Sequence, residues 1–218
     1  TGQVIDAAGM RRIVDAARKI GAVVLSDECY ALMAWNDAND APENREASIE
    51  SSPCALRADV CGGDAYGVLV LYSLSKQSNM AGYRTACIAG DHTLVRAMTE
   101  LRKQIGLIVP GPVQAAMAAG LRDMAAVREQ HNRYYSRLST LVEALRAYGY
   151  DAHMPQGALY IWVRALGADC WQDMGRLADL GIVPSPGEFY GAPQYLRFSA
   201  TASDAQIAEA AERLHAAL

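Results

Sequence analysis

No apolar run in this 218-residue chain approaches the ~20 residues a membrane-spanning helix requires. Thr1 to Lys19 holds no apolar stretch behind a basic start, so no secretory leader is expected there. Basic residues number 20 against 24 acidic ones, for a net charge of −4, and they are scattered, which lacks the footprint of a nucleic-acid binder. Cys29, Cys54, Cys61, Cys87 and Cys170 form no C-x-x-C pair and make an odd count, which argues against a disulfide framework and against a zinc ribbon. Cys54, Cys61 and His92 match no metal-ligand spacing, and nothing supplies a fourth group. Reduced thiols in a cytoplasmic protein is the plain reading, with small molecules and other subunits as partners and neither nucleic acid nor membrane. Internal repeats and low-complexity segments are missing too. So is an initiator Met: "TGQVID" runs straight into a helical pattern, as the inside of a longer protein would.

What is present is ordinary in composition. Half the residues (51%) are apolar and 20% charged, which places the chain among globular proteins able to bury a sizeable core. Met10, Ile13, Val14 and Ala17 form the stripe of an amphipathic helix over residues 6–19, capped by Asp6 and ended by Gly21. "AVVLSDECY" reads as a short strand buried on both faces, of the kind found in parallel sheets. Residues 36–66 are polar and rich in Asn, Asp and Pro, and read as a surface excursion. "GVLVLYSLS" and "RTACIAG" are further strand candidates. Asp91 caps a helix to about Gly106, and a helical pattern covers Val113 to Tyr148 with a break near Leu121–Asp123. Beyond Gly149 the pattern becomes α+β: strands at "GALYIWVRA" and "YLRFSA", a helix at "DCWQDMGRLADLG", a strand and turn at "IVPSPGEFYG" and a capped terminal helix.

Two of the strands end in polar groups, "SDECY" and "SLSK". In an open parallel sheet, ligands bind in the crevice outside the carboxyl ends of the strands, so Asp27, Tyr30, Ser73, Ser75 and Lys76 are expected to share one pocket. Lysine is almost never fully buried unless something pairs or reacts with it. A neutral lysine amine forms a Schiff base with a carbonyl, which points to a carbonyl ligand.

Together these residues resemble the class I and II aminotransferases, fold-type I enzymes that depend on pyridoxal 5'-phosphate. The family signature S-x-[SA]-K followed by G-x-R stands here as Ser73, Ser75, Lys76, Gly82 and Arg84, and its D-x-x-Y as Asp27 and Tyr30. The resemblance implies that Lys76 is the Schiff-base lysine and proton carrier, and that Ser73 and Arg84 hold the cofactor phosphate. It further implies that Asp27 keeps the pyridine nitrogen protonated and that Tyr30 bonds the ring's phenolic oxygen. "PGEFYG" followed by "YLRFSAT" resembles the segment ending in the arginine for the substrate α-carboxylate, here Arg197, and "GALYIW" resembles the strand before the substrate pocket. The implied fold class is α/β. Residues 1–125 would be part of the large parallel-sheet cofactor domain and 126–218 a smaller α+β C-terminal domain, in an enzyme that works as a homodimer.

The family's N-P-x-G turn with its substrate-contacting Asn is missing, since the chain opens on "TG". Missing with it are the Gly- or Ser-rich phosphate turn and the ring-stacking aromatic, as expected of the C-terminal portion, somewhat more than half, of such an enzyme. Within the family, "SDECY", "YSLSKQSNMAGYR", "VPGPVQAAM" and "ADCWQDM" look most like succinyldiaminopimelate aminotransferases, which implies an exchange between N-succinyl-L,L-diaminopimelate and 2-oxoglutarate/glutamate in lysine biosynthesis. A C–S β-lyase shares every motif, and a non-catalytic aminotransferase-like effector domain of a transcription regulator is a third reading. Residue by residue, blander roles stand beside these: Arg197 in an ion pair with an acid such as Glu188, Tyr160 and Trp162 in a core or interface, and His92, His131, His153 and His215 on the surface or at caps.

Overall fold

The computed structural model describes residues 1–35, Ile49 and 52–217, which form two compact units. The first comprises Val4–Ala34 and 52–130. In it, α1 (Ala7–Lys19) starts at Asp6, whose carboxylate accepts the Gly9 N–H at 2.6 Å, and ends with Arg18 and Lys19 in its last turn, where cations suit the helix dipole. Strands β1 (Val24–Asp27), β2 (Val68–Tyr72) and β3 (Cys87–Gly90) form a sheet in that order. β1 and β2 run parallel, Val24 opposite Val68 and Asp27 opposite Leu71, while β3 returns antiparallel with Cys87 opposite Tyr72. Val14 of α1, Ala55, Val60 of the short helix α2 (Ala58–Cys61), Val68 and Val70 make a buried cluster on one side of the sheet. Helix α3 (His92–Gln104) is capped by Asp91, and α4 (Gly111–Gly120) precedes the long α5 (Met124–Tyr148) after a break at Leu121–Asp123.

Two sequence expectations need correcting here. β1 is not buried on both faces: Leu25 is 63% exposed and only Val24 and Ser26 turn inward, because β1 is an edge strand with α1 on one side. The surface excursion at 36–66 is not uniformly superficial. Its residues 36–48, 50 and 51 lie outside the described ones, but Ala55, Val60 and Cys61 are buried, since α2 packs on α1.

The second unit comprises Thr1–Gln3, Trp35 and 131–217. Its sheet has the order β4-β6-β5, all antiparallel, from β4 (Tyr160–Arg164), β5 (Ser185–Pro186) and β6 (Tyr195–Ser199). Period-two alternation sorts the side chains. Ile161, Val163, Leu196 and Phe198 are buried in the core, with Leu138, Leu141 and Leu145 of α5, Leu177 of α6 (Cys170–Asp179) and Ile207 and Leu214 of α7 (Asp204–Ala216). Tyr160, Trp162, Tyr195 and Arg197 point the other way. A capping box starts α7, with the Ser203 hydroxyl accepting the Gln206 N–H and the Gln206 side chain accepting the Ser203 N–H. His131, expected at the surface, is 1% exposed and lies against the Trp35 ring at 4.4 Å between centroids, because α5 is buried along that side.

One buried carboxylate ties this unit together. Asp173, 1% exposed, accepts the Tyr150 hydroxyl at 2.9 Å, the Leu166 N–H at 2.7 Å and the Gly167 N–H at 2.9 Å. The Tyr150 phenol is correspondingly pushed well above its ordinary value, first by burial and then by Asp173. Asp173→Ala leaves the buried Tyr150 hydroxyl and two part-buried backbone N–H groups unpaired, and the expected loss is about 3 kcal/mol, read as a lower urea midpoint at unchanged slope.

Candidate active site

The parallel register of β1 and β2 brings both strand ends to one edge. Glu28 N–H still donates to the Leu71 carbonyl at 2.9 Å, and then the first strand stops. Cys29 N–H turns back to the Asp27 carboxylate at 3.1 Å, leaving that carboxylate exposed at the strand tip. Beneath it the buried Glu28 carboxylate accepts the Ser26 hydroxyl at 2.9 Å and the Ala55 N–H at 2.8 Å, which anchors the turn. Asp27 therefore does not face a buried partner, as an aspartate closing an all-apolar strand would have to.

After β2 the chain makes a tight turn. The buried Ser73 Oγ accepts the Ser75 N–H at 3.2 Å, lies 2.8 Å from Ser75 Oγ and donates to the Thr85 carbonyl at 3.3 Å. Leu74 is fully buried, and its carbonyl accepts N–H groups from Ser78 and Met80. Lys76 is thereby lifted to the end of the sheet, half-buried, with its amine 5.9 Å from the centre of the Tyr30 ring. Among the described residues it has no ion-pair partner. The Cys29 thiol is pushed up to about 11, mainly by burial and then by the Asp27 carboxylate, with the Lys76 charge acting against them, so Asp27, Cys29 and Lys76 lie within electrostatic reach of one another.

Arg84 ends a 3-10 turn (Ala81–Tyr83) with left-handed backbone angles, φ 51° and ψ 42°, and spends one guanidinium N–H on the Ala81 carbonyl at 3.0 Å. A non-glycine residue held there stores roughly 1–2 kcal/mol, a strain that clusters at functional sites. Its other N–H groups are exposed to solvent. A free amine, an exposed carboxylate, a phenol and an exposed guanidinium are the donor set that a phosphorylated aldehyde cofactor with a basic ring nitrogen needs, so these residues fit pyridoxal 5'-phosphate. Ser73, by contrast, already has its hydroxyl engaged in shaping the turn, while the less buried Ser75 is the more accessible of the two.

Arg197 belongs to the second unit. It lies on the open face of β6, opposite Trp162 of β4 and Ser185 of β5. It makes no ion pair among the described residues; Glu188 instead accepts the Trp171 indole N–H. Tyr160 and Trp162 are not core residues but stand half-buried on the same face as Arg197. Reading motifs alone missed Tyr190, whose ring lies against Arg197. The period-two pattern Tyr160, Trp162, Arg164 opposite Tyr195, Arg197, Ser199 would have marked the face, but not the turn that folds Tyr190 onto it.

Comparison with known proteins follows the same outline. The family described as aminotransferase class I and II matches residues 1–214. The chain is 42% identical over 215 residues to 4-dedimethylamino-4-oxo-anhydrotetracycline transaminase OxyQ of Streptomyces rimosus, covering 98% of this chain and 56% of that one. It is 30% identical over 208 residues to an LL-diaminopimelate aminotransferase of Oleidesulfovibrio alaskensis, covering 93% of this chain and 50% of that one. Among solved structures, BacF of Bacillus subtilis superposes with a TM-score of 0.81 at 22% identity, covering 100% of this chain and 56% of that chain. Aspartate aminotransferase of Thermus thermophilus with maleate gives 0.79 at 22% identity, covering 100% and 54%. The chain thus spans about half the length of the proteins it matches.

Two measurements check this geometry. Arg84→Gly relieves the left-handed strain that Arg84→Ala retains, so the glycine variant is expected to be the more stable of the two by about 1 kcal/mol in urea titration. Alkylation of Cys29 by iodoacetamide is expected to reach half its limiting rate near pH 11, and Asp27→Asn should move that point to lower pH by removing the carboxylate; an unmoved profile would place Asp27 away from the thiol.

Proposed function

Because the chain belongs to the class I and II aminotransferases, we propose that the whole protein is a pyridoxal 5'-phosphate-dependent aminotransferase that moves an amino group between an amino acid and a 2-oxo acid. The observation that carries this reading is the half-buried Lys76 amine, without an ion pair among the described residues, at the shared end of two parallel strands beside Tyr30 and Asp27. When bound, the cofactor supplies an electron sink for breaking the bond between Cα and its hydrogen. Lys76 Nζ anchors the cofactor, takes the proton from the substrate Cα and returns one on the other side of the exchange. Asp27 holds a proton on the pyridine nitrogen, Tyr30 donates to the ring oxygen, and Arg84 with the Ser73–Ser75 turn faces the phosphate. Arg197 takes the substrate α-carboxylate. Residues 1–125 serve the large cofactor domain and 126–218 the small one, in a cytoplasmic homodimer. The free thiols of all five cysteines suit that compartment.

For the amino donor we propose N-succinyl-L,L-diaminopimelate, with 2-oxoglutarate as acceptor, in lysine biosynthesis; relatives named LL-diaminopimelate aminotransferase at up to 30% identity support a donor of that class. A second reading, amino transfer to a polycyclic ketone, is favoured by the 42% identity to OxyQ.

Absorbance of the whole enzyme with pyridoxal 5'-phosphate, before and after glutamate, tests the reaction. The cofactor band is expected to shift with glutamate, and Lys76→Ala should lose both the band and at least ~10³-fold of turnover. Retained turnover in Lys76→Ala would remove the assignment, and a band that ignores every amino acid offered but releases ammonia and thiol from a cysteine conjugate would replace it with a β-lyase. Rates with N-succinyl-diaminopimelate, LL-diaminopimelate and a polycyclic amine then choose the donor.

A further inference from the structure

The Arg197 guanidinium packs against two tyrosine rings: its central carbon lies 4.3 Å from the Tyr160 ring centre and 4.4 Å from that of Tyr190. Its Nε is buried without a hydrogen-bond partner among the described residues. The guanidinium N–H groups donate in the plane of the group, so beside two packed rings a ligand must meet them at the edge. A carboxylate binding edge-on through two parallel N–H···O bonds satisfies that restriction, whereas a spherical ion gains nothing from it.

The two rings come from different parts of the unit and are themselves supported. Tyr160 stands on β4 two residues before Trp162, which pairs with Arg197, so the diagonal across the antiparallel pair brings its ring alongside. Tyr190 closes a 3-10 turn (Gly187–Tyr190) that doubles back over the sheet. A side chain at Gly187 would strike the carbonyl oxygens of Ala192 and Tyr195, and Gly191 takes the left-handed angle (φ 74°) that ends the turn. Behind Tyr190, Trp162 meets its ring at 76° and 5.9 Å and stacks on Tyr195 at 10° and 5.3 Å.

We propose that Tyr160 and Tyr190 are positioning residues for carboxylate recognition, gripping Arg197 with two ring contacts so that its in-plane N–H edge is presented before the substrate arrives. This rests on reading Arg197 as the anchor of the substrate α-carboxylate. The benefit is preorganisation: an arginine side chain free to rotate would have to be ordered on binding, and a gripped one is ordered already.

The test uses the whole enzyme with its cofactor and maleate, a dicarboxylate that cannot be transaminated, as the binding probe. Dissociation constants by calorimetry, the kcat and KM for the amino donor and the thermal midpoint are measured for Tyr160→Leu, Tyr190→Ala, Tyr190→Phe, Arg197→Lys and Arg197→Ala. Tyr190 is 47% exposed, so its truncation does not empty the core. Tyr190→Ala and Tyr160→Leu are expected to weaken maleate and raise KM about tenfold, with kcat within about threefold. Tyr190→Phe, which keeps the ring face, should recover most of that loss, and Arg197→Lys, which keeps only the charge, should not. If Arg197→Ala weakens maleate but folded Tyr190→Ala and Tyr160→Leu do not, the positioning role is overturned and the anchor stands. Should Arg197→Ala leave maleate binding unchanged, the anchor itself is wrong and the grip has no substrate to serve.

Discussion

The parallel pairing of β1 with β2 governs where the candidate site sits. With Asp27 opposite Leu71, the two strands finish together, and each then leaves the sheet through a turn built by its own polar residues. A one-residue slip in that register would exchange the inward Val24 and Ser26 with the exposed Leu25 and Asp27, and the carboxylate would leave the edge. The buried Glu28 makes such a slip unfavourable, because its carboxylate is matched to the Ser26 hydroxyl and the Ala55 N–H. Packing of Val68 and Val70 against Val14 and Val60 fixes the same register from the apolar side.

The turn after β2 shows how local hydrogen bonding and backbone strain share one task. Ser73 and the Leu74 carbonyl gather most of the following N–H groups and the Lys76 carbonyl takes that of Asn79, so the Lys76 side chain has no part in holding the turn. Arg84 completes the segment in a conformation that glycine would occupy at lower cost. The arginine held there at that cost bonds the Ala81 carbonyl and carries the guanidinium proposed for the phosphate contact.

In the second unit the corresponding device is alternation. The β4–β6 pair turns Ile161, Val163, Leu196 and Phe198 into the core, and the same periodicity puts Tyr160, Trp162, Tyr195 and Arg197 on the other face. Asp173 closes the loop after β4 onto α6, so the strand carrying Tyr160 and Trp162 is braced from its far end. The face around Arg197 thus needs no ion pair to order it; aromatic packing does so.

Much of this was legible in the order of residues. The helix capped by Asp6, the break between α4 and α5 and the capping box at Ser203 are local, set by hydrogen bonds that span three or four positions, and the sequence by itself determined them. It also marked the residues proposed to carry chemistry near the ends of β1 and β2, since Asp27, Tyr30, Lys76 and Arg84 keep motif spacing. Burial was less legible. β1 looked enclosed because its residues are apolar, yet exposure depends on what packs over a strand, which no local pattern records. Only the tertiary structure decided that the Ser73 hydroxyl is engaged within its turn, that His131 lies buried against Trp35, and that Tyr190 folds back onto Arg197. The physical reason is the same in each case: these contacts join residues whose proximity is created by chain reversal and sheet pairing, and a side chain's partner then depends on the path of the backbone as much as on its own chemistry.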